Sequence, residues 1–153
     1  MKRNENLVPL SRDHHFGLLC CWKIRIGVKK EISYERIKAY VNFFWNEKLS
    51  KHFDIENFVF DAFRSDLNFL KMEQEHEQII HLIYLMNQSE NNDLFIQFAD
   101  LLEKHIRFEE RDFFQDLQLK LSEIELNKIG EKLHEFVSEG NDFYPDEFWL
   151  MNN

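Results

Sequence analysis

The sequence predicts an all-α protein: an up-down-up-down four-helix bundle with a short fifth C-terminal helix. Three observations predict it. The 153 residues hold only 4 Gly and 2 Pro, so few positions interrupt a helix. Long stretches repeat apolar residues at three- and four-residue spacing, whereas strand-like alternation is hard to find. The connections between these stretches are short, as between the antiparallel neighbours of a bundle. The length suits one domain, and an apolar fraction of 44% with 16 Phe supplies a core.

Taken in order, residues 1–9 read as an N-terminal arm, and residues 10–153 as the helical bundle with its C-terminal tail. The first helix is expected from Ser11, a candidate N-cap, to about Lys30. The second starts near Ser33 and carries Ile37, Tyr40, Val41 and Phe44 at helical spacing. A kink is expected around Lys48 to Ser50, after which the helix resumes through His52, Glu56, Val59 and Phe63. The third runs from about Ser65 to Asn87 and ends in the polar loop Gln88 to Asn92. The fourth spans Asp93 to about Leu119. The fifth opens on the capping box Ser122–Glu125 and fades before Gly140. The tail, Asn141 to Asn153, holds Phe143, Tyr144, Phe148 and Trp149, which are expected to dock on the bundle.

Charge and cysteine usage narrow the function. A formal net charge of -9 argues against nucleic acid, whose phosphates call for a basic face. No apolar stretch approaches the roughly 20 residues of a membrane span. The opening Met-Lys-Arg-Asn-Glu-Asn is followed by no apolar run, so no signal peptide is expected. Cys20 and Cys21 are adjacent, and helical neighbours point about 100° apart. They make a poor disulfide and read as reduced core thiols of a cytoplasmic protein.

The residues with the most chemistry are histidines. Two of the seven open the same pattern, His52-x-x-x-Glu56 and His105-x-x-x-Glu109. On a helix, residues four apart share a face, so each segment presents an imidazole beside a carboxylate. Leu94, Phe98, Leu101, His105, Phe108 and Asp112 form one stripe, which puts His105 in the core and Glu109 one turn on. Buried groups of this kind are costly unless paired. A metal ion would pair them, and so would a buried His–Glu hydrogen bond. In the third helix His76 shares a face with Met72 and Ile83, with Glu73 and Glu77 within reach, while His81 falls near the rim. In the first helix the two neighbours His14 and His15 cannot face one point. Periodicity favours His15, which lines up with Leu18, Leu19, Trp22 and Ile26. His134 reads as structural.

These residues resemble the hemerythrin-like, or HHE cation-binding, family. The resemblance lies in Asp13-His14-His15, His52-x-x-x-Glu56, His76 and His105-x-x-x-Glu109, in that order, over about residues 10 to 118. It implies a four-helix bundle with two non-haem irons per chain, zinc being a possible substitute. It implies that Glu56 and Glu109 bridge the irons, and that His52, His76, His105 and a first-helix histidine fill terminal positions. The Asp-His spelling and the leucine at position 10 favour His14 where periodicity favours His15, so both stand as candidates. The chain departs from the oxygen carriers, which place two histidines four apart in the third helix. Here Ile80 stands four after His76, and His81 comes one residue late. In the fourth helix the carriers place a carboxylate five after the histidine, which would be Glu110, whereas Glu109 fits the other branch. Four His and two Glu are similar to the set in iron-centre repair proteins and in the iron-sensing domain of a ubiquitin ligase subunit. The cysteine-bearing region of the repair proteins has no counterpart in this sequence.

The expected function is therefore binding or sensing of oxygen, nitric oxide or iron itself, more a ligand-binding role than an enzyme's. Dioxygen or nitric oxide would be the partner, with no nucleic acid and no membrane. A ferritin-like di-iron oxidase is an alternative, since Glu73-x-x-His76 and Glu131-x-x-His134 spell its Glu-x-x-His motif. A metal-free helical interaction module is another.

Overall fold

Side-chain caps set several of the helix starts. In the computed structural model, which describes residues 1–136 and 141–150, the Asn4 side chain accepts a hydrogen bond from the Asn6 N–H and opens a 3-10 turn, Glu5–Leu7. That turn runs directly into α1 (Val8–Lys29). Pro9 falls in the first turn, where a missing N–H costs nothing. The helix thus begins three residues before Ser11, whose hydroxyl instead donates to Glu110 at 2.8 Å. At the other end Glu31 takes a positive φ of 57° and the Ile32 N–H returns to the Gly27 carbonyl at 3.0 Å. This left-handed residue reverses the chain.

Ser33 precedes α2 (Tyr34–Phe44) without a side-chain cap bond. A π turn, Trp45–Leu49, joins α2 to α3 (Ser50–Val59), and it overlaps the stretch Lys48 to Ser50 where a kink is expected. A 3-10 turn, Asp61–Phe63, closes this stretch. Asp66 caps α4 (Leu67–Met86), accepting from the Asn68 N–H at 2.8 Å. After the polar loop comes α5 (Asp93–Phe108). A second π turn, Glu109–Phe113, leads into α6 (Phe114–Lys120). The capping box is present at α7 (Glu123–Leu133): the Glu125 N–H donates to Ser122 Oγ and the Ser122 N–H to Glu125 Oε1. No strand occurs among the described residues. The principal packing partners are α1 with α5 and α4 with α5, and α7 lies against the N-terminal turn and α3.

The apolar core is divided in two. One cluster gathers Cys20, Ile24, Tyr40, Phe44, Phe53, Ile79, Phe95 and Phe98. The other gathers Leu7, Leu10, Val59, Phe60, Phe69, Met72, Phe113 and Phe114. On each long helical segment the boundary falls at a polar pair or single residue: His14 on α1, His52 and Glu56 on α3, Glu75 and His76 on α4, His105 and Glu109 where α5 meets its π turn. All of these are buried. A polar belt therefore crosses the molecule between two apolar halves.

The C-terminal tail docks as expected where it is described. Phe148 and Trp149 are buried, and Tyr40 packs edge-on against Phe148. The approach to α1 is close enough to require Gly27: a Cβ there would lie 2.6 Å from the Phe148 ring. Lys23, buried beneath the tail, pairs with Asp142 and lies 4.2 Å over the Trp149 ring. Arg36 holds Asp146 through two hydrogen bonds. Phe143 stays exposed, and residues 151–153 of the expected tail lie outside the described residues.

Candidate metal centre

The belt converges on two carboxylates. Oε1 of Glu109 lies 3.1 Å from Nε2 of His14 and 3.0 Å from Nε2 of His105. Oε1 of Glu56 lies 3.3 Å from Nε2 of His52 and 3.1 Å from Nε2 of His76. Four imidazoles thus turn the same ring nitrogen toward two carboxylates. The donor atoms fall into two overlapping groups: His14, His52, Glu56 and Glu109, and Glu56, His76, His105 and Glu109. Within each group they lie within 4.8 Å of one another. Both carboxylates belong to both groups.

Hydrogen bonding leaves this arrangement incomplete. Nε2 of His52 and of His105, and Oε2 of Glu56 and of Glu109, are buried without a hydrogen-bond partner. The two imidazole nitrogens are near a carboxylate oxygen, but outside hydrogen-bonding geometry. Each orphaned buried polar atom costs about 1–3 kcal/mol. A cation at each group would meet these four atoms, and the nitrogen and oxygen donors suit first-row metals. The residues fit a metal ion.

Outer carboxylates fix the rings. Nδ1 of His52 lies 3.0 Å from Asp13, Nδ1 of His105 3.0 Å from Glu75, and Nδ1 of His14 3.2 Å from Glu110. A carboxylate can only accept, so Nδ1 carries the proton and Nε2 is free for a metal. Glu110 is held in turn by the Ser11 hydroxyl and by Arg3. His76 is the exception. Its Nδ1 has no partner, and the ring is positioned by Phe53, stacked at 3.7 Å between centroids and 14° between planes.

The electrostatics follow. Burial by itself would lower each of these imidazole pKa values, but neighbouring carboxylates outweigh it. Glu109 and Glu110 raise His14, Glu56 and Asp13 hold His52 well above its ordinary value, and Glu109 with Glu75 brings His105 to about 10. Burial would raise Glu109, yet His105 and His14 keep it well below the ordinary carboxylate range. Without a metal, protons on these rings balance the acids.

Of the candidates from sequence, His14, His52, Glu56, His76, His105 and Glu109 are brought together; His15 is exposed on the outer face of α1. The correction has a physical reason. The inward face of α1 is Leu10, His14, Gly17, Cys20, Cys21, Ile24 and Gly27. Small residues let α1 lie close to its neighbours, while the larger Leu18, Leu19 and Ile26 flank the contact and Trp22 is exposed. Size-weighted periodicity therefore points to the wrong face. His81 and His134 are exposed, as is Glu131, so the second Glu-x-x-His motif lies on the surface. Glu77 is exposed and Glu73 half-buried, and the acid that reaches the site from α4 is Glu75. Glu75 shares its stripe with Met72, Ile79 and Ile83, a signal the sequence carried. Asp112 is also exposed, because the π turn carries the inward register from Glu109 to Phe113. Compared with protein-family models, curated proteins and solved structures, the chain matches none.

Proposed function

We propose that the protein is a hemerythrin-like four-helix bundle, running up-down-up-down, whose centre holds two non-haem irons and binds or senses dioxygen, nitric oxide or iron. The observation that carries this reading is the pair of donor groups sharing Glu56 and Glu109. In it, His14 and His52 serve one ion, His76 and His105 the other, and the two carboxylates both. Bound iron would supply redox chemistry and an open position for a small diatomic ligand. The chain's part is to hold the rings by Asp13, Glu75, Glu110 and Phe53 and to keep the site among apolar side chains. Buried thiols at Cys20 and Cys21, both free, suit a reducing cytoplasmic setting. No helix among the described residues is long and apolar enough to cross a membrane.

Elemental analysis of protein reconstituted with ferrous iron tests the reading. It expects two metals per chain, with zinc able to take the same positions. Binding of none, or of a single zinc that iron cannot replace, would overturn it.

A further inference from the structure

One side of the belt opens into a cavity of about 930 Å³ between α1, α3 and α5. Its floor is formed by His14, His52 and His105, the rings that face Glu56 and Glu109. The deeper part of its wall is apolar, with Phe44, Phe53, Leu102 and Ile106 all buried, while Glu47, Lys51 and Asp54 line the outer part. Gly17 belongs to this wall, and a Cβ there would lie 2.7 Å from Ile106 Cδ1. Its rim carries three phenylalanines that face solvent: Phe58 is 44% exposed, Phe136 40% and Phe143 73%. Exposed aromatic rings around an opening are costly in water and gain on contact with an apolar molecule. Charged groups at the mouth come in both signs, with Lys51 3.7 Å from Glu47, so the opening selects for neither an anion nor a cation.

Size decides what the cavity is for. A diatomic ligand needs a small fraction of this space, whereas cavities of about 300–1,000 Å³ enclose organic molecules of the size of a drug. We infer that the cavity binds an uncharged, largely apolar organic molecule, its body against the phenylalanine walls and its one polar end at the histidine floor. The placement of that end beside metal rests on the function proposed above; the binding of the apolar body does not.

The uncharged dye N-phenyl-1-naphthylamine, which fluoresces in apolar surroundings, tests both parts. Titrated into the full chain, metal-free and metal-loaded, it is expected to saturate at one dye per chain. Leu102→Trp fills the cavity and should weaken binding about tenfold or more, in the range by which apolar pockets discriminate size. Phe58→Asp, at a part-exposed rim position packed against Phe136, should weaken it severalfold, with the melting temperature of the variant as the control for its fold. No saturable fluorescence from the wild type overturns the proposal. So does equal affinity in the wild type and in Phe58→Asp, which would place the dye elsewhere. In cobalt-loaded protein, filling the cavity should shift the visible metal absorption, and an unchanged spectrum with dye bound overturns the placement of the polar end. A chain that takes up no metal but binds the dye contradicts the proposed function and leaves the apolar cavity standing.

Discussion

Glu75 and His105 meet across two helices, with Oε1 of one 3.0 Å from Nδ1 of the other. Helix α4 thus acts on the centre twice: through His76 directly and through Glu75, which sets the ring of a histidine on α5. The carboxylate keeps the Nδ1 proton in place and makes Nε2 the better donor. Glu75→Ala should therefore lower metal affinity by roughly 10–100-fold while leaving every candidate ligand present. Competition with a chromophoric chelator measures this, and an unchanged affinity would deny Glu75 its positioning role.

The two shared carboxylates should matter more than any other acid in the chain. Glu56→Ala or Glu109→Ala removes a donor common to both groups, so each should bring the metal content well below that of the wild type. His15→Ala and His81→Ala, at exposed positions, should leave it unchanged. Metal analysis of the four variants, prepared side by side, decides this.

In the proposed centre, metal and protons would compete for the same nitrogens, which gives a pH dependence with a definite sign. In the metal-free protein, His14, His52 and His105 have raised pKa values. They therefore contribute stability that is fully present below about pH 6.5, their ordinary value, and lost as pH rises through the folded values. For His105 that value is about 10. Glu109, held low, contributes stability that is present above the ordinary carboxylate range and lost as pH falls through its folded value. Metal binding needs neutral rings and so strengthens with pH. The metal-free melting temperature should fall between pH 6.5 and 10 while that of the loaded protein holds, so the gap between them widens. Melting curves for both forms at several pH values check it; a gap that narrows with rising pH would contradict it.

The tail depends on the absence of one side chain. Gly27→Ala would place a methyl group 2.6 Å from the Phe148 ring, which ordinary packing does not allow. The ring must move, and Trp149, whose carbonyl is held by Lys30 at 3.0 Å, moves with it. Tryptophan fluorescence should shift to the red, with a loss of roughly 1–3 kcal/mol in stability from overpacking. An unshifted spectrum would mean that the tail accommodates the methyl group in place.

Glu31 sits at φ 57° without the freedom of glycine. A left-handed conformation costs an L-residue about 1–2 kcal/mol. Glu31→Gly should recover part of that, offset by the added freedom of the unfolded chain, for a net gain of up to about 1 kcal/mol. Denaturant unfolding of the two proteins measures it.

Much of this was legible in the sequence, and the misses share physical causes. Scarce glycine and proline, the Ser122 capping box and the heptad-like stripes gave the helical segments, because caps and periodicity are local. The His-x-x-x-Glu pairs gave Glu56, Glu109 and their helix neighbours for the same reason. His15 was indicated over His14 by size because packing between α1 and α5 is a tertiary fact that rewards small residues. The outer acids Asp13 and Glu110 act across helices, so no spacing along one helix declares them, whereas Glu75 lies in the apolar stripe of α4 and could have been read from it. The π turn at Glu109–Phe113 escaped because its sequence reads as ordinary helix; the extra residue shows only in the register on either side.

Those two turns mark where the gene can change length inside a helix. In a loop such as Gln88–Asn92, losing or gaining a codon shortens or lengthens a connection and little else. Losing one codon between Trp45 and Leu49 would remove the extra residue and let the turn close as regular helix with His52 and Glu56 still on the belt, whereas losing one inside a regular stretch such as α3 would rotate everything beyond it by about 100°. Losing one between Glu110 and Phe113 would be absorbed in the same way, with His105 and Glu109 ahead of the loss and Phe114 and Leu117 beyond it keeping their faces. Descent can therefore delete as well as substitute at exposed positions such as Asn46 or Arg111.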